Sequence, residues 1–277
     1  MNKIITLPNG LKYLHVNSNS NLVSVGFIVN VGARDENENE YGISHFLEHM
    51  LFKGTKSRKN KKLLVELDSL GLSYNAMTTH EYTFFELHGN KNDTIKILNL
   101  LVDMFLNSEL SNKNINSESG VIMEEYNMGK NDLRDIMFNE LLYLIFGDSD
   151  LSIPIIGTVE NIKKFKKSDL SKFKNKYYTL ENTTFIFFGN FNKKIIKNYL
   201  EKITKNVNIK KNYNKRDNFI AVQDIPRLKI MNFENTQVQV LFGFTYGGYL
   251  QNKNLLEGEL ISSILTSGPS TNFIPSS

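Results

Sequence analysis

Two histidines four residues apart, His45 and His49, stand in a stretch whose apolar residues, Ile43, Phe46, Leu47, Met50 and Leu51, recur at helical spacing. On a helix, positions i and i+4 project from one face. The chain therefore has to build a helix here that buries one stripe and leaves two imidazoles side by side on another. A pair placed like this can share a metal ion. Glu48 lies between them, where a carboxylate can take a proton from a water held at that ion. Gly42 precedes the segment and Gly54 is a plausible stop.

A catalytic metal of this kind takes three protein ligands and keeps one position open. Cysteine is absent, so the third donor has to be His, Asp or Glu, and neither disulfides nor thiolate chemistry contribute. The helix expected over Asn116 to Gly129 carries Glu118, Glu124 and Glu125. Glu118 and Glu125, seven residues apart, share a face, whereas Glu124 points about 100° away from Glu125 and reads as a solvated acid. One member of the pair can ligate while the other accepts the remaining ring N–H of a histidine.

The segment Gly42-Ile-Ser-His45-Phe-Leu-Glu48-His49-Met-Leu-Phe-Lys-Gly54-Thr55 resembles the first motif of the pitrilysin and insulysin family of inverted zincins, in particular its mitochondrial processing peptidase branch. The family's spacing from second histidine to third ligand matches the 76 residues (125 − 49) between His49 and Glu125. The resemblance thus selects Glu125 as ligand, within Val121-Ile-Met-Glu-Glu125, and puts the family's additional acid on Glu118. Asn75-Ala76-Met-Thr78 with Thr83 is similar to the family's strand motif. Phe146-Gly147 through Pro154-Ile-Ile-Gly157 is similar to its loop before a helix.

What the resemblance implies is a zinc-dependent endopeptidase with one Zn²⁺ per chain, held by His45, His49 and Glu125. Glu48 activates the bound water and returns the proton to the leaving amine, with Glu118 as a further catalytic acid. An extended substrate, an unfolded peptide or presequence-like segment, would add to an edge strand at Asn75 and Ala76. Relatives pair two domains of similar fold around the substrate, so a homo- or hetero-oligomeric partner is expected to supply the rest of the chamber. The competing reading is a non-catalytic partner subunit or inactive fragment of the same family, but such subunits generally lose the metal motif.

Strands are expected at Leu11 to Val16, Val23 to Val31 and Thr184 to Phe188, and a long strand or hairpin at Ser73 to Leu87. Helices are expected at Lys62 to Leu70, Asp93 to Leu106, Asn116 to Gly129, Leu133 to Phe146 and Ser168 to Tyr178. This order gives an α+β fold, a sheet with helices packed on one face in a two-layer sandwich. Residues 1–205 read as the catalytic domain and 206–224 as a lysine- and asparagine-rich linker. Residues 225–277 read as the start of a truncated second domain, with a strand at Val238 to Phe244 and a helix from Leu255 to Leu265.

Apolar residues make up 40% of the 277, which is ample for a packed core and excludes disorder. The net charge of +4 comes mostly from dispersed lysines, so nucleic-acid binding has little support. The lysines from Lys59 to Lys62 read as a solvated helix start. No stretch is long and apolar enough to span a membrane, and the N-terminus shows no secretory signal. The expected location is the cytoplasm.

Overall fold

The computed structural model describes residues 3–205, 207, 216, 225–234, 238–246 and 255–266. They group into two compact units, one of residues up to Ile136 with Ser149–Arg216, the other of Met137–Asp148 with the described residues after 216. The first unit is built on six strands, β1 (Ile5–Thr6), β2 (Lys12–Val16), β3 (Leu22–Val29), β4 (Ser73–Thr78), β5 (Thr83–Asn90) and β6 (Thr183–Phe188). They form one sheet in the order β1-β2-β6-β3-β5-β4. The β2–β6 pair is parallel and every other pair antiparallel. Nine helices complete the described residues: α1 (Ile43–Leu51), α2 (Asn60–Ser69), α3 (Thr94–Asn107), α4 (Asn112–Gly129), α5 (Leu133–Phe146), α6 (Val159–Lys164), α7 (Lys167–Tyr177), α8 (Lys193–Thr204) and α9 (Leu255–Thr266).

The α+β architecture agrees with the sequence reading, and its cause is the period-2 pattern of the strands. Val23, Val25, Phe27 and Val29 of β3 point into the core beside Phe85 and Leu87 of β5 and Phe185 and Phe187 of β6. Phe27 stacks on Phe85 at 4.7 Å between ring centroids and meets Phe105 of α3 edge-on at 5.1 Å. This aromatic layer is the floor on which α1 and α3 rest. The Ser73 to Leu87 stretch is a hairpin, whose outer strand β4 lies at the sheet edge.

Two elements have no counterpart among the expected ones, β1 and α8, while α6 follows the Phe146 to Gly157 stretch that resembles the family's loop before a helix. Helix α4 begins four residues before the expected Asn116 because Ser111 Oγ accepts the Asn114 N–H at 3.2 Å and caps the helix there. In the second unit, residues 238–246 carry no strand, a departure from the expected alternation at Val238 to Phe244. Val238, Val240, Phe242 and Phe244 are exposed there. Helix α9 forms where expected. Most of the expected linker, 206–224, lies outside the described residues.

Candidate metal centre

Helix α1 starts at Gly42, whose φ of +95° lies in the left-handed region open chiefly to glycine. A Cβ there would come within 2.5 Å of the Ile156 carbonyl oxygen. Glycine has no side chain to cap the first turn, and a distant acid does so instead. Glu36, 7% exposed, accepts the Gly42 N–H at 2.7 Å and the Ser44 N–H at 2.8 Å. Burial pushes the Glu36 carboxyl up to about 8, against the pull of these two donors. The other side of α1 is anchored by Ile43, Phe46, Leu47, Met50 and Leu51, all fully buried, and this leaves the histidine face turned toward α4.

The two imidazoles converge there. His45 Nε2 and His49 Nε2 stand 3.3 Å apart. Glu125 Oε1 lies 3.6 Å from His45 Nε2, and Glu125 Oε2 lies 3.5 Å from His49 Nε2. These three form the one such group of potential metal ligands found among the described residues. For tetrahedral zinc with bonds of about 2.0–2.1 Å, neighbouring ligand atoms sit about 3.3–3.4 Å apart, so the spacing of the donors fits the ion. Their chemistry fits as well. Burial lowers the His45 ring to about 4, leaving it neutral and able to donate a lone pair, and Glu125 keeps its carboxylate 49% exposed toward incoming ligands.

Glu118 is the buried member of the α4 pair, 2% exposed. Its Oε1 lies 2.8 Å from His49 Nδ1 and its Oε2 2.6 Å from Lys53 Nζ. A carboxylate at Nδ1 accepts a hydrogen bond from that ring N–H, which fixes the tautomer whose Nε2 lone pair is aimed at the site. Burial opposes the charged form of Glu118, but the His49 and Lys53 hydrogen bonds outweigh it and hold its carboxyl below the ordinary range. For His49, burial disfavours the cation, while the bond to Glu118 and the charges of Glu118, Glu125 and Glu48 favour it, and the net shift is upward. His45 differs, since its Nδ1 is buried without a partner. Glu124 is exposed, as its angular position on α4 requires.

Glu48 is half-buried beside the cluster, and burial raises its carboxyl. Thr78, at the end of β4, donates its hydroxyl to Glu48 Oε2 at 2.6 Å. Along β4, alternation puts Ala76 and Thr78 on the side of α1 with Tyr74, whose ring meets Phe52 at 5.6 Å, and Asn75 on the opposite face. The fold thus gathers His45, Glu48, His49, Glu118 and Glu125, sets Ala76 nearby, and turns the Asn75 side chain away.

Thr78, Lys53 and Glu36 contribute to this site without having been assigned a role from the sequence. Lys53 had a signal: it follows His49 by four residues as His49 follows His45, and so continues the same face. The remaining histidines stay outside. His15 is buried on β2, His80 Nε2 binds the Ile153 carbonyl at 2.9 Å, and His88 Nδ1 lies 2.7 Å from Ser24 Oγ. Tyr246 bonds Glu257 in the second unit.

Known proteins resemble this chain in sequence and in fold. The profile described as insulinase (peptidase family M16) matches residues 13–159, and that of the peptidase M16 inactive domain matches residues 164–274. A protein of Rickettsia bellii described as an uncharacterized zinc protease is 31% identical over 266 residues, which are 96% of this chain and 64% of the relative. The chain therefore spans less than two thirds of that relative's length. The mitochondrial-processing peptidase subunit beta of Caenorhabditis elegans is 34% identical over 175 residues, 63% of this chain and 38% of the relative. In structure, a protease from Helicobacter pylori superposes with a TM-score of 0.71 at 22% identity, covering 80% of this chain and 53% of that one, a likeness of fold.

Proposed function

Since the chain belongs to the insulinase family of peptidases, M16, we propose that it is a zinc-dependent endopeptidase acting on unfolded peptides or presequence-like segments. The observation that carries this reading is the meeting of His45 Nε2, His49 Nε2 and the Glu125 carboxylate at mutual distances of 3.3, 3.5 and 3.6 Å. These three residues hold the metal, and the zinc protease of Rickettsia bellii supports zinc as its identity. Bound by these residues, Zn²⁺ would supply Lewis acidity, which makes water acidic near neutral pH and would activate a peptide carbonyl.

The chain's own residues do the rest. Glu48 receives the proton of the attacking water on its carboxylate and delivers it to the nitrogen of the leaving amine. Thr78 engages Oε2 of that carboxylate through its hydroxyl and so holds the base in place. Glu118 fixes the His49 ring through Nδ1. Substrate in extended form adds to β4, the outermost strand of the sheet among the described residues, by main-chain pairing at Asn75 and Ala76, a mode that selects unfolded segments because folded ones have no strand to lend. Residues 1–205 carry this chemistry. A homo- or hetero-oligomeric partner completing the chamber is consistent with the subunit status of the Caenorhabditis elegans relative.

The test is Glu48→Gln. The variant is expected to retain the zinc of the wild type and to lose cleavage of an internally quenched peptide. Undiminished cleavage by zinc-loaded Glu48→Gln would rule out the proposed base.

A further inference from the structure

We propose that Lys53 is a positioning residue that sets the register between α1 and α4 and, through Glu118, the orientation of His49. The inference rests on the metal-centre reading above and goes beyond it. Lys53 directly follows Phe52, the residue that closes α1, and is grasped twice by α4. Asn114 Nδ2 donates to the Lys53 carbonyl oxygen at 3.0 Å, and Lys53 Nζ reaches Glu118 Oε2 at 2.6 Å.

Asn114 and Glu118 are four residues apart, one above the other on α4. Backbone and side chain of one residue thus grip two successive turns of the helix. Glu125, seven residues beyond Glu118, lies on the same face. A slip of α1 against α4 would carry the His45 and His49 rings past Glu125, and the double grip opposes it. The Lys53 head also occupies the Glu118 oxygen that His49 does not use. A carboxylate with both oxygens engaged has one rotamer available, so Glu118 meets Nδ1 of His49 in a fixed direction. The Lys53 side chain is paired with Glu118, so its own share of the effect, the one a substitution at position 53 removes, is exerted through Glu118, while the carbonyl grip by Asn114 stays in place.

The experiment measures zinc affinity of the full chain by chelator competition, for wild type, Lys53→Met, Lys53→Arg, Glu118→Gln and Lys53→Met/Glu118→Gln, with thermal unfolding of each apo protein as the fold control. Lys53 is 29% exposed, and Lys53→Gln gives a polar alternative should the methionine variant fail to fold. The expected result is a weaker zinc affinity for Lys53→Met, by about 10-fold and by no more than Glu118→Gln loses, since the roughly 10- to 100-fold range belongs to direct partners of ligating residues such as Glu118. Substantial recovery is expected in Lys53→Arg, and no further loss in the double variant relative to Glu118→Gln alone. Wild-type zinc affinity in Lys53→Met overturns the proposal, as does the same factor lost in both backgrounds, which would place the action of Lys53 elsewhere. If the wild-type chain binds no zinc, the metal-centre reading itself falls and this inference with it.

Discussion

Replacing Thr78 by valine removes a single hydroxyl from the site while keeping the side chain's branching. In the folded protein that hydroxyl is 2.6 Å from Glu48 Oε2, and Thr78 is 8% exposed. Little water can take its place. A hydrogen bond to a charged group contributes about 1.5–3 kcal/mol. If the bond serves the ionised, base-competent form of Glu48, its loss translates into about a 10- to 150-fold fall in kcat/KM. A pH signature accompanies the fall. Burial raises the Glu48 carboxyl and the Thr78 bond lowers it, so removing the bond moves the carboxyl further up, and the acid limb of the pH–rate profile shifts to higher pH. Zinc content should be unchanged, because Thr78 bonds none of His45, His49 and Glu125. Thr78→Ser, which restores the hydroxyl, should recover most of the rate. The assay is cleavage of a quenched peptide by zinc-loaded protein across pH 5–9. Wild-type rate and profile in Thr78→Val would refute the coupling of this hydroxyl to the base.

Two further outcomes concern the start of α1. Glu36 has a folded-state pKa of about 8, against 4.5 as its ordinary value. Between these pH values the native state holds a proton that the unfolded chain has released. The stability from this group is thus fully present below about pH 4.5 and declines as pH rises to about 8, by at most about 1.4 kcal/mol per pH unit. Urea unfolding at pH 5, 6.5 and 8 should show this slope in the wild type and a shallower one in Glu36→Gln, and identical slopes would contradict the assignment. Gly42→Ala places a Cβ 2.5 Å from the Ile156 oxygen at a φ of +95°. It should lower stability by about 1–3 kcal/mol and weaken zinc binding, both measurable by thermal unfolding with and without metal.

What could be read from the sequence follows from periodicity. His45 and His49, and Glu118 and Glu125, share helix faces by spacing alone, and the strands of the sheet declare themselves through Val23, Val25, Phe27 and Val29 against Phe185 and Phe187. Contacts between distant elements were less legible. Glu36 sits in the acidic stretch from Asp35 to Glu40, and only the fold shows that it is buried beside a helix begun by a glycine. Thr78 falls within a stretch that resembles the family's strand motif, but its bond to Glu48 shows only when β4 is laid beside α1. Gly157 belongs to a loop that resembles the family's, but its reason is packing: it abuts the backbone of Tyr41 and Gly42 at the entrance to α1. Helix α8 was recognisable from Ile196, Tyr199, Leu200 and Ile203, which recur at helical spacing, but the many lysines around them mask the pattern. At Val238 to Phe244 the alternation suggests a strand that the described residues do not form.

The account stands or falls on where a metal ion binds. The direct measurement is diffraction from zinc-loaded protein with data collected at the zinc absorption edge. The account predicts one anomalous peak per chain, bounded by Nε2 of His45, Nε2 of His49 and the carboxylate of Glu125, and its disappearance in His49→Ala. A zinc peak away from these three side chains, or fully loaded protein with none at all between them, would contradict it.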